Sequence, residues 1–255
     1  MILHLQNIQF PSNLEALQSL PEGLLLINTI NAHSYNIARQ DASFAEALLK
    51  SDVLLPDGAS IAMAVRWLRG EKIERIAGWD LFVWEMCKLE EKSKNQEPGQ
   101  DKPKRAAVLF LGSTEAVLAK IKARASIEYP NIDVYTYSPP YKPEFTDEDN
   151  LAMYKAIEAV QPDVLFVGMT APKQEKWAYK MVNSKWLMVN DCHVCCIGAV
   201  FDFYAGTVKR APMWWQKNSL EWLYRLIKEP RRMWRRYLVG NVRFVRYMVG
   251  ERFSS

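Results

Sequence analysis

Up to Val208 the chain alternates short apolar runs, bounded by turn residues, with stretches whose apolar positions recur every three or four residues. The runs predict strands at residues 24–27, 53–55, 107–111, 132–137, 164–167 and 194–197. The helical periodicity predicts helices over 44–49 behind Asp41, over 59–68 after the turn Pro56-Asp57-Gly58, and over 79–89. Two more are predicted with N-terminal caps, one from Thr114 to about Glu128 and one from Asp147 to about Val160.

Strands that alternate with helices predict an α/β fold, a Rossmann-like and mostly parallel sheet with flanking helices. Residues 88–105 are almost free of apolar side chains and predict a solvated loop or linker between two halves of the sheet. Beyond Val208 the pattern changes to basic amphipathic helix. This predicts two parts, a catalytic body at 1–208 and a helical appendage at 209–255. Helical spacing puts Trp234, Tyr237, Leu238, Val245 and Met248 near one face and Arg232, Arg235, Arg236, Arg243 and Arg246 near another, with Gly240 as a break.

Composition sharpens the picture of the tail. Of 255 residues 49% are hydrophobic and 24% charged, the balance of a globular protein, so disorder is excluded as an overall description. No apolar run is long enough to span a bilayer, the first residues do not read as a signal peptide, and four cysteines are too few for a disulfide framework; together these predict a cytosolic chain. The net charge of +4 conceals an asymmetry, because residues 209–255 hold 12 lysines and arginines against three glutamates, leaving the body acidic. A basic, aromatic segment on an acidic body suits a polyanion: nucleic acid, an anionic membrane surface or a diphosphate. For the first helix of the tail, packing on the sheet and membrane contact are equally open; from Arg243 onward the membrane is the expectation.

In an open α/β sheet ligands bind beyond the carboxyl ends of the strands, and here those ends are polar. Asn28-Thr29-Ile30-Asn31-Ala32-His33 follows the first strand, Pro56-Asp57-Gly58 the second, Gly112-Ser113-Thr114 the third, and Gly168-Met169-Thr170-Ala171-Pro172-Lys173-Gln174-Glu175 the fifth. A carboxylate at the position of Asp57 either points into a cleft, where it can accept a proton, or caps the next helix. Gly112-Ser113 leaves room for a phosphate at a helix N-terminus. Neither G-x-G-x-x-G nor a Walker motif is present, so NAD and ATP lack their usual sequence support. Asp147-Glu148-Asp149 has the D-x-D form of some metal sites but sits at a predicted helix start, where carboxylates favour the first turn. Cys192-His193-Val194-Cys195-Cys196 has C-x-x-C spacing without a second ligand pair, and reads as a buried strand. No metal site is expected.

Taken in order, Thr29…Asn31-Ala32-His33, Pro56-Asp57-Gly58, Arg75-Ile76-Ala77-Gly78-Trp79-Asp80, Gly168…Ala171-Pro172-Lys173-Gln174-Glu175, Phe201-Asp202…Ala205-Gly206, Lys209-Arg210-Ala211-Pro212 and Leu220-Glu221-Trp222-Leu223-Tyr224-Arg225…Glu229-Pro230-Arg231-Arg232 resemble the WecG/TagA/CpsF glycosyltransferases. The resemblance implies a bacterial enzyme that moves one sugar from a UDP-sugar to a glycan on a polyprenyl diphosphate, with inversion, without a metal or other cofactor, in surface polysaccharide synthesis. It implies Asp57 as base, with Thr29, Arg75 and Gln174 beside it, and Arg225, Arg232 and Arg235 of the appendage closing over the site. Donor contacts are expected from Asn31, Gly112, Ser113, Tyr137, Gly168, Pro172 and Lys173. The segment 88–105 is longer than the family pattern, and Tyr137-Ser138-Pro139-Pro140-Tyr141 replaces a glycine-containing turn.

The expected partners are thus a UDP-sugar, a polyprenyl-diphosphate-linked acceptor and the anionic inner-membrane surface on its cytoplasmic face, with self-association through the tail. Two rivals stand beside this reading. A transferase on a soluble acceptor leaves the amphipathic tail without a role, and a nucleic-acid-binding module leaves the polar strand ends without one.

Overall fold

The computed structural model describes residues 2–95, 105–185, 189, 191–217 and 220–253. Six strands, β1 Leu24–Ile30, β2 Val53–Pro56, β3 Ala107–Leu111, β4 Asp133–Tyr137, β5 Val164–Val167 and β6 Cys192–Cys196, form one parallel sheet in the order β2-β1-β6-β5-β3-β4. Every residue of β2, β3 and β5 is buried, as a sheet covered by helices on both faces requires, whereas the edge strand β4 is mostly accessible.

Two strands depart from the sequence expectation. β1 continues to Ile30, so Asn28, Thr29 and Ile30 belong to the strand and do not follow it. β6 starts at Cys192, with Cys192 opposite Leu24 and His193 opposite both Leu25 and Val164. His193 can lie in that ladder because its Nδ1 is 2.7 Å from the buried Glu85 Oε1, which satisfies both polar groups.

The helices are α1 Ala32–Ala38, α2 Ala42–Leu49, α3 Ala59–Arg69, α4 Gly78–Lys94, α5 Glu115–Glu128, α6 Asp147–Val160, α7 Lys173–Val182, α8 Val200–Tyr204, α9 Met213–Lys217, α10 Glu221–Lys228, α11 Pro230–Trp234 and α12 Gly240–Phe253, with a π-helical turn at Arg235–Val239. Asp41 and Thr114 cap α2 and α5 as expected. α6 starts where predicted, but its cap is Thr146, whose hydroxyl accepts from Asp149 N–H while the Asp149 carboxylate accepts from Thr146 N–H. α4 runs on to Lys94, so the beginning of the polar 88–105 stretch is helical, and residues 96–104 lie outside the described residues.

Contacts divide the chain into two compact units. The first comprises Met1–Ser19, Thr29–Ala77 and Lys209–Ser255. The segment from Lys209 therefore shares a unit with the start of the chain. Its core gathers Tyr35 from α1, Phe44 from α2, Val65 from α3, and Phe244 and Met248 from α12. Gly240 is no break: its φ of −62° and ψ of −43° carry the helix straight through. Met248, expected on an outward apolar face, is buried, while Val242, Val245 and Val249 are exposed. The α12 face that packs is chosen by Phe244 and Met248, four residues apart, which cover the apolar side of α1.

The second unit comprises Leu20–Asn28 and Gly78–Val208. Alternation along its strands sends Leu109, Leu111, Leu165 and Val167 to one side, where they meet Met153 and Ile157 of α6 and Trp177 and Met181 of α7. Phe110 and Phe166 point the other way, into a cluster with Phe82 of α4 and with Phe201 and Tyr204 of α8, whose ring centroids lie 4.7 to 6.2 Å apart along the contacts through Phe82 and Phe110.

Candidate active site

In the first unit the site is built where β1 and β2 end. Asn31 caps α1 with its side-chain oxygen, which accepts the N–H groups of His33 and Ser34, each at 3.1 Å. That oxygen being committed, the amide NH2 is turned outward, and Nδ2 donates to Asp57 Oδ2 at 3.4 Å. Asp57 is itself anchored by its backbone N–H to Ile30 O at 2.8 Å. The helix that follows it, α3, has Gly58 as N-cap, with φ at +113° and no side-chain cap. The capping role that the sequence left open for Asp57 is therefore not the one it has, and its carboxylate faces Asn31.

The adjacent segment is pinned by Ile76 N–H to Pro56 O at 3.0 Å, which keeps Arg75 beside the end of β2. Loss of solvation pushes the Asp57 carboxyl above the ordinary carboxylate range, and the charge of Glu221 adds to this; the Asn31 hydrogen bond and the charges of Arg75 and Arg225 oppose it. The result is a more basic carboxylate with cations nearby, the electrostatic setting of a general base next to a developing anion. Thr29 lies one residue before the end of β1, partly accessible between buried neighbours. His33, in the first turn of α1, has its pKa lowered to about 4 by burial and by Arg236, so it is neutral at physiological pH.

Of the three tail arginines expected here, Arg225 is in α10 and its charge reaches Asp57. Arg235 is exposed, with its guanidinium 5.3 Å from the centroid of the Trp234 ring. Arg232 lies in α11, and its side chain is outside the described part.

The second unit holds the remaining expected residues. Gly112 has φ at +122°, and a Cβ there would come within 2.7 Å of Gly168 O; a Cβ on Gly168 would meet the Phe201 ring at 2.4 Å. Glycine at both positions is thus dictated by close packing. Ser113 occupies the left-handed region at φ 64°, and Ser138 Oγ donates to its carbonyl at 2.9 Å. Tyr137 closes β4 and packs against the α6/α7 side of the core.

Pro172 follows a cis peptide and precedes α7. Lys173 turns to the 142–145 loop, donating to Lys142 O at 2.5 Å and covering the Phe145 ring at 3.5 Å. Gln174 is buried, and its Nε2 donates to Glu175 Oε1 at 2.9 Å, which directs its Oε1 away from that carboxylate. Burial pushes Glu175 up to about 7. Gly198, absent from the sequence expectations, has φ at +49° and approaches Gln174 so closely that a Cβ would lie 3.4 Å from Oε1. Its only sequence signal is a glycine directly after a strand.

Comparison with known proteins gives a consistent result. The model of the family described as "Glycosyl transferase WecG/TagA/CpsF family" matches residues 3–255. The chain is 32% identical over 215 residues to an N-acetylglucosaminyldiphosphoundecaprenol N-acetyl-beta-D-mannosaminyltransferase of Bacillus subtilis (strain 168), covering 84% of this chain and 75% of that protein. It is 31% identical over 201 residues to the protein of the same description from Bacillus spizizenii (strain ATCC 23059 / NRRL B-14472 / W23), covering 79% of this chain and 70% of that protein.

Proposed function

Because the chain belongs to the WecG/TagA/CpsF glycosyltransferase family, we propose that it transfers an N-acetylhexosaminyl group from a UDP-sugar to a glycan carried on a polyprenyl diphosphate, with Asp57 as base. The names of the two relatives make N-acetylmannosamine the first donor sugar to test and N-acetylglucosaminyl-diphosphate-polyprenol the first acceptor.

The observation that carries this reading is the Asp57 carboxylate, held by Asn31, raised in proton affinity and placed among Arg75 and Arg225. In the proposed step an acceptor hydroxyl oxygen attacks the anomeric carbon from the face opposite the nucleotide. Its proton passes to Asp57 as the new C–O bond forms and the bond to the UDP β-phosphate oxygen breaks, which inverts the centre. The negative charge left on UDP is met by Arg75 and Arg225, so turnover is expected to persist in EDTA. Thr29 is proposed to contact the sugar nucleotide.

We extend the proposal to the membrane surface. Among the described residues no helix is long and apolar enough to cross a membrane. Leu238, Val242 and Val245 are 55, 64 and 57% exposed and stand near Arg243 and Arg246, a combination that suits an anionic interface.

Measuring UDP release over a set of UDP-sugars with the N-acetylglucosaminyl-diphosphate-polyprenol acceptor tests the reaction. Acceptor-dependent release that disappears in Asp57→Asn supports it, and release unaffected by that substitution removes Asp57 from its role. Vesicle sedimentation with and without anionic lipid tests the surface, with Val242→Asp/Val245→Asp expected to lower binding while the fold is kept.

A further inference from the structure

Glu221 was not among the residues expected at the site. It opens α10, one turn before Arg225, and its Oε1 accepts from Arg225 Nη2 at 3.2 Å. The same oxygen lies 3.9 Å from Nε of Arg210, which belongs to the Lys209-Arg210-Ala211-Pro212 motif. Their side chains are 20, 30 and 18% exposed for Glu221, Arg225 and Arg210, so the three groups form a partly desolvated cluster with less solvent screening than a surface ion pair has. One carboxylate therefore ties together guanidinium groups from two stretches of the tail.

We propose that Glu221 is a positioning residue of the transferase site, holding Arg210 and Arg225 as a pair for the nucleotide diphosphate, and that Arg210 is a further diphosphate ligand. This rests on the reading of Asp57 and Arg225 as parts of that site.

A guanidinium is planar, with five N–H donors in a fixed fork, so an ion pair at one edge sets the plane in which the other edges meet a phosphate. Held by one carboxylate, two such groups lose less side-chain entropy when they engage a diphosphate. The cluster also acts electrostatically. Asp57 faces Asn31 from the α1 cap, Arg75 from the segment before α4, and Glu221 and Arg225 from α10. Glu221 supplies the negative charge that offsets the cations, which alone would make Asp57 a poorer base.

Three variants of the full-length chain separate these effects. Glu221→Gln keeps shape and removes charge. With the counter-charge gone, the Asp57 carboxyl, followed by ¹³C carboxyl titration and assigned by its absence in Asp57→Asn, moves to lower pH. The acid limb of kcat/KM moves the same way. Glu221→Asp keeps charge and shortens reach, so it weakens UDP binding measured by calorimetry roughly tenfold, the scale of one charge-assisted hydrogen bond, and leaves the acid limb in place. Arg210→Ala weakens UDP binding to a similar extent.

A residue that only supported the fold would lower stability in all three without moving the titration. An unmoved Asp57 titration in Glu221→Gln, or unchanged UDP affinity in Glu221→Asp and Arg210→Ala, overturns the proposal. If the wild-type chain released no UDP from any UDP-sugar, the reading of the reaction would fail, while the carboxyl titration and UDP calorimetry would still decide the role of Glu221.

Discussion

The hydroxyl of Tyr35 in α1 donates a hydrogen bond to the buried carboxylate of Glu251 in α12. The same carboxylate accepts Gln6 N–H at 3.3 Å and lies 3.8 Å from Arg39 and 3.6 Å from His4. Two further bonds fasten the helix, Asn36 Nδ2 to Gly240 O at 2.7 Å and Arg252 Nη1 to Leu68 O at 2.8 Å. α12 is thus an integral part of the first unit. α1, the helix it grips, begins at the cap residue that holds Asp57.

Glu251→Ala removes the buried acceptor of the Tyr35 hydroxyl and of Gln6 N–H and the anion beside Arg39, and is expected to destabilise the protein by about 3 kcal/mol. Tyr35→Phe removes one donor and costs about 1 kcal/mol. Urea denaturation measures both, and an unshifted midpoint in Glu251→Ala would show that the network contributes nothing. Ending the chain after Val239 also strips Phe244 and Met248 from the core, at roughly 1.5 to 3 kcal/mol each, so this truncation is expected to disrupt the first unit as well as any membrane contact.

Asn31 both caps α1 and donates to Asp57. Asn31→Asp keeps a capping oxygen but replaces the donor by a like charge, which raises the proton affinity of Asp57 further. The acid limb of the pH–rate profile is expected to move to higher pH, opposite to the shift expected for Glu221→Gln. A limb that stays put would separate Asn31 from the proposed base. Asp57→Asn is expected to cost about 10²- to 10⁴-fold in kcat with UDP binding retained.

Glu175 has a folded pKa of about 7 against an ordinary value of 4.5. Between those values the folded state binds more protons than the unfolded one, so this group's contribution to stability is fully present below 4.5 and is lost as pH rises through 7. Glu175→Gln, neutral at every pH, should flatten that decline and leave the variant more stable than wild type above pH 7. His33 acts in the opposite direction, since its lowered pKa of about 4 removes stability as pH falls from 6.5. Thermal unfolding across pH, with His33→Asn alongside, resolves the two; identical slopes in Glu175→Gln and wild type would contradict the assignment.

Gly168→Ala places a methyl group 2.4 Å from the Phe201 ring, and Gly112→Ala places one 2.7 Å from a carbonyl oxygen at φ +122°. Each is expected to destabilise by about 2 to 4 kcal/mol. Gly112→Ala should be the worse, because backbone yields less than a ring. Chemical denaturation of both variants checks the order.

Most of the sheet and its connecting helices can be read from the order of residues alone. Buried parallel strands must be short apolar runs, and the helices between them must be amphipathic, so period and turn residues locate both. For Asp57, between proline and glycine at a strand end, the chain left cleft and helix cap open, and only the folded geometry, with Gly58 as the cap of α3 and Asn31 against the carboxylate, removed the cap. α1 is not legible in this way: it has only seven residues, its apolar side of Ala32, Tyr35 and Ala38 is flanked by His33, Ser34 and Asn36, and the helix depends on the Asn31 cap and on burial against α12. The tail shows most plainly where sequence stops. Its helical spacing is compatible with more than one packed face, and only docking of Phe244, Met248 and Glu251 onto α1 decided which was buried and left Val242 and Val245 outside. The Glu221 pair with Arg210 and Arg225, and its charge near Asp57, likewise come from distant stretches of chain brought together. Periodicity is a local property, whereas the partner of a face or a charge is set by which surfaces meet, and that is fixed only when the whole chain has packed.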